Sequence, residues 1–234
     1  MIKDFDLLQR ANNDYTTIDL EHAEELAYRE LIDSIRYISL GDECGVMGNI
    51  ANIITYKGRF YIQEEQFDRV FIYDDTGRCL KKIDNKGRGP GEYLRIESID
   101  INTEKEELML VDGMSDKLFF YDLGGNFKSI HSIRYFQTEN TLCLRDSVFL
   151  HISAPSQNFG NEGLYGYALV LSKGNENFLK GYRYLPLQVG YKGGGQIFKG
   201  YERSCYHPIY SDTIYQILSD TTYGPIFYFK IKNS

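Results

Sequence analysis

Short apolar segments alternate with polar turns at a near-constant spacing from about residue 50 onward. The segment Asp68–Asp74 (DRVFIYD) recurs 48 residues later as Asp116–Asp122 (DKLFFYD), and the same offset aligns Gly77 with Gly125. Glycine after a strand suits tight hairpin turns, in which the backbone takes positive φ. Several strands per unit, at a period in the forties, are typical of β-propeller blades. The pattern therefore predicts an all-β propeller.

With this repeat as a guide, the whole chain divides into a lead-in and about four blades. Within the lead-in, residues 1–48, Glu21–Tyr28 has helix-forming composition and Ile35–Leu40 alternates apolar with polar positions. We expect a short helix or irregular segment at the first of these and a strand at the second. The propeller covers residues 49–234, with blades over 49–93, 94–140, 141–195 and an incomplete 196–234.

Composition narrows the classes of partner. The net charge is −7 at pH 7, so general affinity for nucleic acid or anionic membranes, which requires a positive surface, is not expected. No segment approaches the ~20 consecutive apolar residues of a membrane span, and the first residues lack the apolar core of a signal peptide. We therefore expect no membrane insertion by this chain and no signal peptide within it.

The cysteines indicate neither a metal site nor a dense disulfide scaffold. Cys44, Cys79, Cys143 and Cys205 are far apart and form no CxxC pair. Buried free thiols are the expectation, because cysteine is among the most often buried residue types. Two long-range disulfides are the alternative, since connectivity cannot be deduced from spacing.

Three parts of the sequence resemble a known family. They are Lys86–Tyr93 (KGRGPGEY), Thr17–Leu20 with Ile32–Leu40 ahead of the first blade, and Asp212–Tyr215 in the last blade. In these residues the chain is similar to the six-bladed β-propeller proteins abundant in Bacteroidetes, which are related to NHL-repeat propellers. The resemblance implies six blades in a complete protein, a truncated chain here, and a periplasmic or cell-surface location through a lipoprotein anchor. It implies no catalytic residue.

The glycine-rich segment Lys86–Tyr93 is the first candidate site. It fits neither the GxxxxGK[ST] nor the GxGxxG phosphate-binding pattern, and no βαβ unit surrounds it. Its glycines and proline favour a tight crossing between blades, in which Arg88 and Glu92 pair or bond backbone groups. Because loops on rigid scaffolds often bind ligands, Arg88, Glu92 and Tyr93 are also candidate ligand contacts.

His151 and His207 form the second candidate site, because they fall in different blades and a propeller can bring distant residues together at its central channel. Neither belongs to an HxH or HExxH motif. The recurring aspartates suit turn caps better than a calcium site. We therefore predict no metal, no cofactor and no catalytic residue, and keep both histidines as candidate ligand contacts.

These observations favour a non-enzymatic binding module of an exported or cell-envelope protein, whose partner is a small molecule, a glycan or a protein. The alternative is a metal-assisted hydrolase or lyase with its site at the channel mouth. It would require the two histidines to converge with carboxylates. A third hypothesis is self-association through open blade edges, because unpaired strand edges are templates for pairing with another chain.

Overall fold

The computed structural model describes residues 6–7, 9–10, 14–22, 30, 32–133, 137–145, 147–153, 158, 164–174, 177–184, 195–199, 203–209, 211–218 and 222–230. Three short strands come first, namely β1 (Asp6–Leu7), β2 (Gln9–Arg10) and β3 (Thr16–Asp19), and a 3-10 turn follows over Leu20–His22. The predicted helix over Glu21–Tyr28 lies mostly outside the described residues.

Four antiparallel sheets follow, each built from strands that are consecutive in the chain. Sheet one contains β4 (Ile50–Tyr56), β5 (Arg59–Glu64), β6 (Arg69–Asp74) and β7 (Cys79–Ile83). Sheet two contains β8 (Ser98–Asn102), β9 (Glu107–Asp112), β10 (Lys117–Asp122) and β11 (Phe127–Ser132). Sheet three contains β12 (Asn140–Arg145), β13 (Val148–Ile152), β14 (Tyr167–Lys173) and β15 (Asn177–Tyr184). Sheet four contains β16 (Gln196–Lys199), β17 (Ser204–His207), β18 (Thr213–Ile217) and β19 (Thr222–Lys230).

The 48-residue repeat corresponds to equivalent turns in sheets one and two. Asp68 and Asp116 both have positive φ, 56° and 54°, in the hairpins that precede β6 and β10. In the next hairpin of each sheet, Asp74 Oδ1 accepts hydrogen bonds from the backbone N–H groups of residues 76 and 78, and Asp122 Oδ1 accepts those of residues 124 and 126. The carboxylates hold each turn closed, which explains why aspartate recurs at these positions.

The sheets pack face to face in chain order. One core cluster lies between sheets one and two and includes Tyr61, Ile72 and Phe119. A second joins sheets two and three around Phe120 and Phe149. Sheets three and four bury a third cluster, which contains Leu150, Leu169, Ile197 and Tyr206. Among the described residues no core cluster joins sheet four to sheet one, so the sheets do not close into a ring. The predicted all-β propeller architecture is confirmed, in an open form.

The N-terminal strands extend the last two sheets at their outer edges. β1 pairs in parallel with β15, and β2 and β3 pair in parallel with β19. Lys230 Nζ lies 3.3 Å from Asp19 Oδ2 at the end of the β3–β19 pairing. The start of the chain is thereby held against its last sheet.

Residues 36–49, here called the strap, cross from the lead-in to sheet one and cover its outer strands. A disulfide joins Cys44 in the strap to Cys79 at the start of β7. Gly41 N donates a 2.8 Å hydrogen bond to Gly77 O, and Arg36 Nη2 donates to Asp75 O at 2.7 Å. Beneath the strap, a cluster around Phe71 and Tyr73 is buried. The strap therefore covers part of the face that sheet one would otherwise expose to solvent.

Two sequence-based expectations were wrong in this region. The strand predicted over Ile35–Leu40 is absent, because this segment follows the sheet surface without pairing to a neighbouring strand. The expectation of four free thiols was wrong for Cys44 and Cys79, which the fold brings within bonding distance. Cys143 and Cys205 are reduced and buried, as expected.

Candidate binding channel

The first strand of every sheet faces a shared cavity, here called the channel. The cavity has a volume of about 1140 Å³ and is lined by residues of β4, β8, β12 and β16. In each sheet this strand is the inner edge of the meander. The channel is therefore a product of the whole assembly and is not contained in any one sheet.

The inner strands β4, β8 and β12 run in the same direction along the channel, and Lys199 at the end of β16 lies beside the second half of β8. At their starting ends, Gln63 Nε2, opposite Asn52 of β4, donates a 3.0 Å hydrogen bond to Ile96 O just before β8. At the finishing ends, the hydroxyl of Tyr56 lies 3.5 Å from Thr103 O. Strand β12 keeps the same direction, since Thr141 N donates to Ser98 Oγ at 3.3 Å and Cys143 N donates to Asp100 Oδ2 at 2.7 Å. The channel therefore has one mouth at the strand starts and another at the strand ends.

The mouth at the strand starts is acidic. Glu97 and Glu139 line it, beside the amides of Asn52, Gln63 and Asn140. Burial raises the pKa of the Glu97 carboxyl; Arg95 opposes this, whereas the carboxylates of Asp112, Asp68 and Glu139 raise it further. Asn140 Oδ1 is buried there with no hydrogen-bond partner in the described structure. This end of the channel, here called the acidic mouth, is a concentration of hydrogen-bond acceptors and negative charge.

The mouth at the strand ends is lined by cations, namely Lys57, Lys199 and Arg203. Lys57 pairs with Glu106, which is outside the cavity lining. Arg203 is exposed and forms no ion pair with a described residue. We call this end the basic mouth. Between the mouths, the lining is largely aliphatic, with contributions from Ile54, Ile99, Ile101, Leu142, Leu144 and Ile197.

An ion pair crosses from sheet four to sheet two inside the channel. Lys199 Nζ lies 2.9 Å from Asp100 Oδ2 and donates a further 3.1 Å hydrogen bond to Ile101 O. Burial raises the pKa of Asp100, and the Lys199 ammonium opposes this change. Because Asp100 is only 4% exposed, removal of the lysine would leave a buried carboxylate without its counter-charge. The pair fixes the inner strand of sheet four against the rest of the assembly.

The residues predicted in the glycine-rich segment lie outside the channel lining. Glu92 Oε2 accepts a 2.7 Å hydrogen bond from Gly89 N, which closes a local turn. Tyr93 is fully buried, and its hydroxyl donates to Asp68 O at 2.8 Å while it accepts from Asn85 N at 3.1 Å. Arg88 is exposed. The contacts of Glu92 and Tyr93 are those of a crossing between sheets one and two.

The structure does not bring the two predicted histidines together. His151 is fully buried in sheet three, with Nδ1 2.8 Å from Thr141 Oγ1 and Nε2 2.7 Å from Ser172 Oγ. Burial lowers the pKa of His151 to about 3. His207 Nε2 donates a 2.8 Å hydrogen bond to Ser211 O in sheet four. Both rings bond groups of their own sheets, and neither histidine lines the channel.

Other features bear on the alternatives. In the part of the chain that the structure describes, no group of three or more His, Cys, Asp or Glu side chains is arranged to hold a metal ion. Likewise, no helix formed by those residues is long and apolar enough to cross a membrane. Burial raises the pKa of the Cys143 thiol to about 12, so at neutral pH it is the unreactive protonated form.

Sequence reasoning missed the residues that line the channel. Glu97, Glu139, Lys199 and Arg203 belong to no motif and are separated by up to about a hundred residues. One signal in the sequence could have identified two of them: Glu97 and Glu139 each stand immediately before the first strand of a repeat unit. First strands are innermost in this fold, so residues at their ends lie at the channel mouths.

Comparisons with known proteins agree with the fold. A family model described as a domain of unknown function (DUF4934) matches residues 15–234. Among the curated proteins, none matches the sequence. A crystal structure of a candidate exported protein from Bacteroides fragilis is similar over 92% of this chain and 60% of its own, with 20% identity and a TM-score of 0.78. The chain thus spans 60% of the length of that relative.

Two further solved structures show weaker similarity. The WD40 repeats of RRP9 match over 76% of this chain and 51% of their own, with 10% identity and a TM-score of 0.48. A member of the DUF4221 family from Bacteroides vulgatus matches over 75% and 55%, with 10% identity and a TM-score of 0.46. At such identities, similarity to solved structures concerns the fold alone.

Proposed function

Because the chain belongs to the family described as a domain of unknown function (DUF4934), we propose a function from its own geometry: it is a non-enzymatic module that binds a ligand in the channel. The supporting observation is the cavity of about 1140 Å³ lined by the inner strands of all four sheets. Ligand sites are typically concave, mostly apolar and supplied with a few polar groups. The channel has this character, with an aliphatic middle and charged mouths.

We infer that the protein works in the cell envelope. The Cys44–Cys79 disulfide supports this location, because disulfides persist in oxidising compartments and are rare in the cytosol. The similarity to a candidate exported protein of Bacteroides fragilis agrees with it. The segment Lys86–Tyr93 further suggests the six-bladed, NHL-like propeller proteins of Bacteroidetes, and with them attachment through a lipid anchor.

The competing hypothesis of a metal-assisted hydrolase or lyase depended on His151 and His207. Both ring nitrogens of His151 contact hydroxyl groups of sheet three, and His207 bonds a backbone carbonyl. Using either ring as a metal ligand would break these contacts. No observation on the described residues favours this second function, so we develop the binding function alone.

The test is a ligand screen combined with a blocked channel. Purified protein would be screened by thermal shift against peptides, oligosaccharides and small metabolites, with metal content measured in parallel. Hits would be repeated on Thr55→Trp, which fills the channel from β4, and on Leu80→Trp, which adds the same side chain to the outer strand of the same sheet.

We expect Thr55→Trp to abolish binding and Leu80→Trp to retain it. Binding that survives Thr55→Trp would place the site elsewhere and overturn the proposal. A stoichiometric metal with hydrolytic activity lost on its removal would replace it with the enzyme hypothesis.

A further inference from the structure

The charged residues of the channel lining are separated by sign. Glu97 and Glu139 lie at the acidic mouth, whereas Lys57, Lys199 and Arg203 lie at the basic mouth. The remaining lining carboxylate, Asp100, is already paired with Lys199. A ligand that spans the channel therefore meets negative charge and hydrogen-bond acceptors at one end, and positive charge at the other.

We propose that the channel accepts a short extended peptide, with its free amino group at the acidic mouth and its carboxylate at the basic mouth. This inference rests on the proposed function and specifies the ligand class of the same site. The two charged ends of such a ligand complement the two mouths, and this charge complementarity distinguishes a peptide from other channel-sized molecules.

The acidic mouth suits an ammonium group. Glu97 pairs with Arg95 at 3.3 Å, but the carboxylates of Asp112, Asp68 and Glu139 also act on it, so a further cation there would relieve repulsion among carboxylates. Asn140 Oδ1 is an additional buried acceptor with no partner in the described structure. An ammonium group offers three hydrogen-bond donors and no acceptor, which matches the carboxylate oxygens and the Asn140 Oδ1 acceptor at this mouth.

The basic mouth suits a carboxylate. Lys199 is held by Asp100, and Lys57 by Glu106, so these two cations are partly neutralised. Arg203 is exposed at the mouth and forms no ion pair with any residue placed by the structure. Its guanidinium can donate two parallel hydrogen bonds to one carboxylate, which is the strongest common form of this contact.

The length and the walls of the channel also fit an extended chain. Inner strands of four to seven residues span roughly 13–23 Å at ~3.3 Å per residue, the length of about five residues of extended peptide. Apolar side chains of the ligand would contact Ile99, Leu142 and Ile197 in the middle. No strand of the described residues pairs with β4 on its channel side, so its backbone groups can add the peptide as a further strand.

Other classes of ligand would match the charges of only one mouth, or of neither. A neutral oligosaccharide would form no ion pair at either mouth. A fatty acid would use the basic mouth alone, and a nucleotide would bring its phosphates near Glu97 or leave the acidic mouth empty.

The experiment measures binding of the pentapeptide Ala-Leu-Ala-Leu-Ala by isothermal titration calorimetry at low salt. The peptide is used in four forms, which are free, N-acetylated, C-amidated and blocked at both ends. We expect the free form to bind, and each block to weaken binding about tenfold, since one lost charge contact of ~1.4 kcal/mol corresponds to that factor.

Variants assign each end of the peptide to its mouth. In the double variant Glu97→Gln with Glu139→Gln, acetylation should no longer weaken binding, whereas amidation still should. In Arg203→Gln the reverse is expected. Asp75→Asn, which removes a carboxylate from an exposed turn away from the channel, should behave as wild type.

The outcomes separate this inference from the proposed function. Equal affinity for the free and doubly blocked peptides, with binding abolished by Thr55→Trp, would overturn the peptide orientation and retain the channel as the site. Failure of every form to bind at millimolar concentration would overturn the peptide inference, while the ligand screen still decides the function. Peptide binding that is unchanged in Thr55→Trp would overturn both.

Discussion

Tyr93 shows how one side chain holds the crossing between the first two sheets. Its ring packs edge-on against Phe119 of sheet two, at a centroid distance of 6.0 Å, while its hydroxyl bonds backbone groups of residues 68 and 85 around sheet one. Burial raises the pKa of this phenol, so it remains a neutral donor. The glycine-rich segment therefore has a structural reason to end in tyrosine.

Tyr93→Phe should lower the free energy of unfolding by about 1–3 kcal/mol, because it leaves the buried carbonyl of Asp68 and the partly buried N–H of Asn85 without their partner. Urea unfolding followed by far-UV circular dichroism measures the change. Arg88→Ala, in the same segment but exposed, should change stability by less than about 0.5 kcal/mol. A larger loss for Arg88→Ala than for Tyr93→Phe would contradict the structural role assigned to the tyrosine.

His151 should make stability depend on pH. Burial lowers the pKa of His151 to about 3 in the folded chain, whereas an unfolded histidine titrates near 6.5. Below about pH 6.5 the unfolded state therefore binds a proton that the folded state does not. The free energy of unfolding consequently falls as pH decreases from ~6.5 toward ~3, by at most about 1.4 kcal/mol per pH unit for this group.

His151→Gln should reduce that slope, as measured by urea unfolding at several values between roughly pH 6 and pH 4. His22→Gln changes an exposed histidine and serves as the matched control, for which we expect the wild-type slope. An identical slope in His151→Gln and wild type would show that other groups govern the pH dependence.

At the scale of elements, the disulfide holds the strap against sheet one. The bond closes a sequence separation of 35 residues, and a loop of this size corresponds to about 3–4 kcal/mol of lost chain entropy in the unfolded state. The double variant Cys44→Ser with Cys79→Ser should be less stable than wild type by about that amount in guanidinium unfolding without reductant.

Addition of dithiothreitol supplies the control for this experiment. The reductant should bring wild type close to the double variant and leave the double variant itself unchanged. Cys205→Ala, at a buried thiol outside the disulfide, should show the same difference from wild type with and without reductant. A double variant as stable as oxidised wild type would mean that the strap is held by its other contacts.

The sequence correctly predicted those elements whose signal lies within a few consecutive residues. The turns at Asp74 and Asp122 were predictable because each aspartate bonds its own backbone two and four residues later. The strand predicted over Ile35–Leu40 failed because alternation does not reveal whether a partner strand is present. In the structure Ile35 and Tyr37 are 67% and 90% exposed, so the apolar positions of that segment were not evidence of a buried face.

Contacts between residues that are distant in the sequence could not be predicted from the sequence pattern. The pairing of Cys44 with Cys79 depends on the route of the strap across sheet one. The proximity of Lys199 to Asp100 depends on how three successive sheets pack, since 99 residues separate the two. The candidate site could therefore not be assigned from motifs, although the repeat identified the sheets that form it.

At the scale of the whole molecule, the open ring leaves the inner edge of sheet one accessible. Ile50 and Ile53 of β4 are 48% and 51% exposed, and no described strand pairs with β4 on that side. Exposed, apolar strand edges promote association between chains, and we propose that this edge joins two copies of the protein when the channel holds no ligand.

Ile53→Lys should lower this association, because a charged side chain disfavours strand pairing at an edge. Sedimentation velocity over a range of protein concentrations measures the effect. Leu80→Lys, which places the same charge on the outer strand of sheet one, is the matched control. A wild-type protein that stays monomeric at every concentration, or an equal effect of both variants, would exclude this edge as the interface.

The pairing of the first strands with sheet four also sets a condition on the order of folding. Asp19 meets Lys230 across a separation of 211 residues, so the β3–β19 pairing cannot form until the residues up to Lys230 are available. Closing so long a loop opposes folding by roughly 5 kcal/mol of chain entropy. Contacts between residues that are far apart in the sequence also form slowly. A chain emerging from the ribosome would leave the β3–β19 pairing unformed until residue 230 has been synthesised. In the cell-envelope location proposed above, this late pairing is compatible with passage through a translocation pore in an extended state, before the disulfide forms on the far side.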